Sequence, residues 1–464
     1  MRFFYLDPGL RDDVGHHANC CRYITGELRS RGIETLVFAH REVLPSLQAE
    51  LGAKPHFRID TYAPLDPQPG WQGWLGDCVN HGRTVLSELL DDGEGASSLF
   101  HQSISQSPRT IAASVPFIGD CTYVPFSSQE RRRAWRGWFT RFLRFTRITC
   151  RDLSAIREFS PGDFIFLASA QPVQLAALIE WRRSLQSKRR PIIAVELNSI
   201  GLRIRRNGDE TQIFVPDPRL DPRAAVFQYL GLQLGRDDGA HLSLITFARN
   251  LTEMVKLLLQ YPVETFPLPY RAVSPLRNRT GSRPVRIAIL GHQKRAKGSD
   301  ELPLIIRELL RSRPEIHLVM QNVSPITSPQ TQQALRQIAA SDPRVFLEEV
   351  PAGKTRWPQL LDMSDLVLCA YQPDAHLAYS AVLAEALANG IPAIVPARTF
   401  LAGMLIECGE PGATFDRFEP ASIAAATGRV LDRFDEFATR AYLAAQKWSE
   451  RLGPARLVDE LMRV

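Results

Sequence analysis

Three groups of residues in this chain have types and spacings suited to chemistry. Near the N-terminus, Asp13, Gly15, His16 and His17 stand where an apolar run gives way to a helical pattern. An imidazole titrates close to neutral pH, so either histidine suits proton transfer or contact with a hydroxyl, while Asp12 and Asp13 are equally suited to capping the helix. The second group is Arg295 and Lys297, in a short loop after the apolar run 285–290, with Gly291 and Gly298 on either side. Two cations in such a loop are placed to hold an anion. The third is Tyr379-Ser380-Ala381, opening a helical segment that carries Glu385 five residues after Ser380. A helix starting there points free N–H groups and its positive dipole end at an anion, with the Ser380 hydroxyl as a further donor. Glu385, just over one turn in, is placed to accept from a diol with both oxygens. The bland alternatives are surface histidines, a solvated lysine and an exposed helical glutamate.

The elements that must position these groups alternate between strand and helix. Residues 2–7 and 35–39 read as strands, and between them Ala18, Cys21, Ile24, Thr25 and Leu28 fall at helical spacing, with Gly32 at the C-cap position. Residues 50–130 are rich in Pro, Gly and short polar clusters and support no element. The alternation resumes with strands at 163–168 and 191–195 and a helix through Trp181 between them. Pro267, Pro269, Pro275 and Pro284 mark a linker. A second series follows: strands at 285–291, 316–321, 344–347, 366–370 and 393–396, with helices at 299–313 and 380–389 among them. The expected organisation is α/β, two Rossmann-like doubly wound domains facing across a cleft. They comprise an N-terminal domain at 1–268, a linker at 269–284, a C-terminal domain at 285–435, and a C-terminal helix at 436–464 that crosses back to the first. Ligands of open parallel sheets gather at the carboxyl ends of the strands, and the loop from Asp7 to His17 lies at such an end.

With 464 residues the chain is long enough for two or three domains, and 44% hydrophobic with 23% charged residues excludes a disordered or fibrous chain. Seven scattered cysteines without a CxxC pair indicate a reducing compartment and no zinc site, and no metal is expected. The opening apolar run is too short for a signal peptide and no run of about 18 apolar residues occurs, so a cytoplasmic protein is expected. The net charge of +6 matches one window, Gln129 to Arg147, which holds Arg131, Arg132, Arg133, Arg136, Arg141, Arg144 and Arg147 against Glu130. No nucleic-acid-binding signature accompanies it, and nucleic acid is not an expected partner. Trp135, Trp138, Phe139, Phe142 and Phe145 recur there at helical steps. Either this helix lies on an anionic membrane, giving peripheral contact through 131–147, or it buries its aromatic stripe in the domain.

The linear pattern resembles retaining glycosyltransferases of the family-4, group-1 type over nearly the whole chain in layout. Three motifs carry the resemblance. Asp13-Val14-Gly15-His16-His17 looks like the family's glycine-containing loop after the first strand. Leu290-Gly291-His292-Gln293-Lys294-Arg295-Ala296-Lys297-Gly298 is similar to the loop that carries an Arg and a Lys onto the donor diphosphate. Tyr379-Ser380-Ala381-Val382-Leu383-Ala384-Glu385, continuing to Pro392, resembles the phosphate-binding helix start and ribose-binding Glu. The resemblance implies a GT-B fold and a UDP- or GDP-linked nucleotide sugar as donor substrate, with no separate cofactor. It further implies Gly15, Arg295, Lys297, Tyr379, Ser380, Ala381 and Glu385 at the donor, and Asp13, His16 and His17 at the reacting centre. The implied acceptor is a glycan, lipid-linked or protein-linked hydroxyl. The chain departs from the pattern at Leu377, where the first glutamate of an E-x7-E pair would fall, with His376 or Asp374 as substitutes. It departs again at His292, in place of an Arg whose role passes to Lys294 or Arg295, and at Ser169, Ala170 and Gln171, where a His is often found. These departures keep a second function open, a non-catalytic GT-B partner subunit that binds nucleotide sugar or glycan. An epimerase fits the loops less well, and a dehydrogenase is disfavoured because no G-x-G-x-x-G follows either opening strand.

Overall fold

A computed structural model describes residues 1–13, 15–63, 65, 128–157, 159–186, 190–198, 204–207, 210–213, 222–236, 241–292, 297–323, 328–373 and 379–464. Arg295, Lys294, Leu377, His376, Asp374, Val14, Cys78 and Cys121 lie outside these residues, as do the side chains of Arg131, Arg132, Arg133, Trp135 and Arg136.

The first half is wound on a seven-stranded parallel sheet in the order β3-β2-β1-β4-β5-β8-β9. Its strands are β1 (Phe3–Asp7), β2 (Thr35–His40), β3 (Ala53–Phe57), β4 (Phe164–Ala170), β5 (Ile192–Leu197), β8 (Leu242–Thr246) and β9 (Glu264–Thr265), with a hairpin, β6 (Ile204–Asn207) and β7 (Glu210–Ile213), set apart. Its helices are α1 (His16–Ser30), α2 (Pro45–Leu51), α3 (Ser128–Ala155), α4 (Pro172–Ser184), α5 (Pro222–Arg236) and α6 (Arg249–Leu259). The second half repeats the plan on a six-stranded parallel sheet ordered β12-β11-β10-β13-β14-β15. It comprises β10 (Arg286–Ile289), α7 (Leu302–Ser312), β11 (His317–Gln321), α8 (Pro329–Ser341), β12 (Val345–Glu348), α9 (Arg356–Asp362), β13 (Leu366–Leu368), α10 (Ala381–Ala388), β14 (Ala393–Pro396), α11 (Phe400–Glu407) and β15 (Gly412–Phe415).

The central strands are apolar on both faces because helices cover both sides: every residue of β1 and β4 is buried. Along β10 the pleat divides the core. Ile287 and Ile289 face a cluster shared with α7, while Ala288 and Leu290 join the larger core that continues into the first half. In each sheet the strand order reverses once, between β1 and β4 and between β10 and β13. Those reversals open crevices at the strand ends, where ligands of doubly wound sheets bind.

Four helices close the chain: α12 (Pro420–Asp432), α13 (Phe434–Gln446), α14 (Trp448–Arg451) and α15 (Pro454–Leu461). The last returns to the first half. Trp448 Nε1 donates to the Tyr270 carbonyl at 2.7 Å, the Gly453 amide to that of Leu268 at 2.8 Å, and Arg31 of α1 pairs with Asp459 at 2.6 Å.

On α3, Trp138, Phe139 and Phe142 are buried, and the Trp138 and Phe142 rings stack at 5.4 Å. Their aromatic side is therefore core, packed toward α4, and these side chains are not available to a membrane surface. Among the described residues no helix is long and apolar enough to cross a membrane.

Candidate active site

The loops after β1 and β4 form the first part of the site. Asp7 ends β1, and its carboxylate accepts from the Gly9 amide at 2.9 Å and holds His17 Nδ1 at 2.9 and 3.0 Å. Gly9 lies flat on the imidazole, since a Cβ there would stand 2.3 Å from His17 Cε1. Burial pulls the His17 pKa down, but the charge and hydrogen bond of Asp7 outweigh it and hold the ring above its ordinary value. Its second nitrogen, Nε2, is buried with no hydrogen-bond partner among the described residues.

His16 turns the other way. Its ring lies 4.1 Å from that of His17, and its Nε2 meets Asn198 Nδ2 at 3.0 Å, the Tyr62 hydroxyl at 3.2 Å and Ser169 Oγ at 3.4 Å. Ser169, the penultimate residue of β4, has φ +53°, a left-handed conformation uncommon for a residue with a side chain. This turn aims its amide at Glu196 Oε2. Glu196 is buried near the end of β5, and its other oxygen, Oε1, has no partner among the described residues. Burial raises its pKa to about 7, against the lowering effect of the Ser169 amide. Gly15 has φ +91° and opens α1, so it shapes the turn that presents the two histidines.

The second part comes from the loops after β10 and β13. Gly291 has φ +81°, its amide donates to Gln321 Oε1 at 2.5 Å, and a Cβ there would lie 2.9 Å from Val382 Cγ2. Only glycine lets this loop pass so close to the start of α10. Lys297 Nζ stands 4.4 Å from the centroid of the Tyr371 ring, whose hydroxyl is 3.4 Å from Ser380 Oγ. Ser380 is the N-cap of α10 and accepts from the Leu383 amide at 3.3 Å, with Ala381 as the first helical residue. Lys297, Ser380 and Ala381 thus come together, as a cation beside a helix N-terminus. Tyr379 is buried between the halves, 5.8 Å from the Phe247 ring and 6.0 Å from Tyr270.

Two expected residues are engaged elsewhere. Asp13 accepts from Arg22 and from the Lys354 amide at 3.0 Å, while Lys354 Nζ reaches Glu50 at 2.6 Å. Its carboxylate thereby ties α1 to the loop before α9 and is turned away from the histidines. Glu385 is 1% exposed, and both oxygens are occupied: Oε1 accepts from the Tyr23 hydroxyl at 2.8 Å and Asn19 Nδ2 at 3.4 Å, and Oε2 from Trp357 Nε1. Burial raises its pKa to about 7 despite these donors.

Sequence reasoning missed Asp7, Tyr62, Glu196, Asn198, Tyr23 and Trp357. A polar residue at the carboxyl end of a buried strand was the available signal for Asp7, Glu196 and Asn198. Tyr23, Tyr62 and Trp357 carried none. Among the described residues no group of three His, Cys, Asp or Glu side chains is arranged to hold a metal ion.

No family model and no curated protein sequence matches the chain. Solved structures do. Sucrose-phosphate synthase from Thermosynechococcus elongatus superposes with a TM-score of 0.54 at 13% identity, covering 100% of this chain and 98% of that one. Anabaena HepE in complex with UDP gives 0.57 at 14% identity, covering 100% and 99%. A glycosyltransferase from Rickettsia africae gives 0.56 at 8% identity, covering 100% and 97%. Two parallel sheets, each reversing strand order once, superposed end to end on these proteins, show that the chain has the GT-B glycosyltransferase fold.

Proposed function

We propose that the chain is a glycosyltransferase that moves a sugar from a nucleoside-diphosphate donor to a hydroxyl of a glycan, lipid-linked or protein-linked acceptor. The observation that carries this is the placement of Lys297, Ser380 and the α10 N-terminus at one strand-order reversal, opposite His16, His17 and Glu196 at the other. In the reaction the bond between the anomeric carbon and the diphosphate oxygen breaks, and a bond from the acceptor oxygen to that carbon forms. The leaving diphosphate gains charge, which Lys297 and the free amides of α10 stabilise; removing one such donor typically costs about 100- to 1,000-fold in rate. The acceptor proton passes to an imidazole or to the departing phosphate. Charge stabilisation of this kind supports a metal-independent reaction, and retention of configuration rests on the family resemblance alone. UDP is the first donor base to test because a protein of the same fold, HepE, was solved with it.

The test is thermal stabilisation by UDP, GDP and ADP, for wild type, Lys297→Ala and Ser380→Ala, since a ligand that binds only the folded state raises its melting temperature. Stabilisation by one nucleotide, lost in both variants, is the expected result. If none shifts the wild type at millimolar concentration, the donor site is refuted. The non-catalytic binding subunit, which the occupied Glu385 and the serine at position 169 favour, then leads only if a glycan binds.

A further inference from the structure

Glu385 belongs to the donor half, yet the groups on its carboxylate come from both halves. Asn19 and Tyr23 lie on α1, two and six residues past His17, and Trp357 lies on α9. The same seam is clasped beside it by Asp13 on the Lys354 amide and Glu50 on Lys354 Nζ. At 1% exposure the carboxylate has no open side. A ribose diol offers two hydroxyl donors, which is the chemistry the Tyr23 hydroxyl and the Trp357 indole already supply to the two oxygens.

We infer that Tyr23 and Trp357 form a self-made plug on Glu385, so that a nucleoside diphosphate gains this carboxylate only by displacing α1 from it. The inference rests on the donor-site proposal above and adds that domain contact and nucleotide binding compete for one side chain. Binding then carries the cost of breaking the Tyr23 contact, and a mutant that lacks the contact binds more tightly. The Tyr23 ring is held independently of its hydroxyl, edge-on to Tyr270 at 6.2 Å and under Arg271 at 5.4 Å, so Tyr23→Phe removes the hydrogen bond and leaves the packing.

The experiment is calorimetric titration of the full chain with UDP and GDP, for wild type, Tyr23→Phe, Trp357→Phe and Arg31→Ala. Tyr23→Phe is expected to bind the cognate nucleotide about tenfold tighter, as loss of one hydrogen bond to a charged group allows, while melting at a lower temperature without ligand. Trp357→Phe reports the same direction if Tyr23→Phe does not fold. Arg31→Ala loosens α1 from α15 without touching Glu385, so it is expected to raise affinity in the same direction but less than Tyr23→Phe does. A purely structural contact would lower the melting temperature without raising affinity. Equal or weaker binding by Tyr23→Phe and Trp357→Phe overturns the plug while leaving the donor site intact. Absence of binding by every protein at millimolar nucleotide overturns both.

Discussion

Replacing Glu196 by Gln tests the electrostatics of the first crevice directly. Glu196 is 2% exposed, with one oxygen on the Ser169 amide and the other unpaired among the described residues, and its pKa stands at about 7 against an ordinary 4.5. A carboxyl raised in the folded state favours folding while it is protonated. That stability is fully present below pH 4.5 and is lost as the pH rises through about 7. At 1.36 kcal/mol per tenfold change in the proton equilibrium, the loss comes to about 3 kcal/mol. Glutamine is neutral throughout, so it removes this pH dependence. It also buries an amide NH2 where Oε1 now lies, a constant cost of about 1–3 kcal/mol at every pH. The slope is therefore the informative quantity. Urea unfolding of both proteins at pH 5, 6, 7 and 8, with unchanged m, should show the variant gaining about 2–3 kcal/mol relative to wild type across that range. Parallel curves would refute the argument, because they would mean that Glu196 ionises in the fold as readily as in the open chain.

Asp7→Asn removes the charge that holds His17 up. Burial then dominates and the ring should titrate below an ordinary histidine, read from its imidazole NMR signals, with loss of the stability that His17 contributes below pH 6.5 and yields as the pH rises. A His17 that still titrates high would show that another group holds its proton. Gly9→Ala puts a methyl 2.3 Å from His17 Cε1 and 2.6 Å from Nε2, so the ring must leave Asp7. It should cost about 1–3 kcal/mol in urea unfolding and abolish the raised His17 pKa together, and an unchanged His17 titration would contradict the close approach.

Much of the fold was legible because the signals lay inside single elements. β1, β4 and β10 are short apolar runs, and α1 shows its buried face as Ala18, Cys21, Ile24, Thr25 and Leu28. β3 was not legible: Ala-Lys-Pro-His-Phe is an edge strand with a proline and two exposed residues, which is what an edge tolerates and what pattern reading discards. The amphipathic stretch through Trp138 and Phe142 was legible as a helix with an apolar face. Periodicity records that such a face exists and is silent on what covers it, and here α4 does.

The candidate site divides along the same line. Ser380 at a helix start and Glu385 one turn later are fixed relative to each other by helix geometry, so their spacing along the chain already carries physical content. His16 and His17 are indistinguishable as neighbours in a sequence, yet only His17 meets Asp7, because consecutive side chains on a helix project about 100° apart and only the second falls over the end of β1. The partners of Glu385 sit 362 and 28 positions away on Tyr23 and Trp357. Trp357 arrives from a neighbouring helix of the same half, whereas the meeting with Tyr23 depends on how the two sheets face each other, which no local pattern encodes. Strand order supplies the missing step. Once β1 is known to adjoin β4, and β10 to adjoin β13, the loops carrying His17, Ser169, Lys297 and Ser380 fall at the two reversals, and the polar residues that end β1 and β5 become site candidates on topology alone.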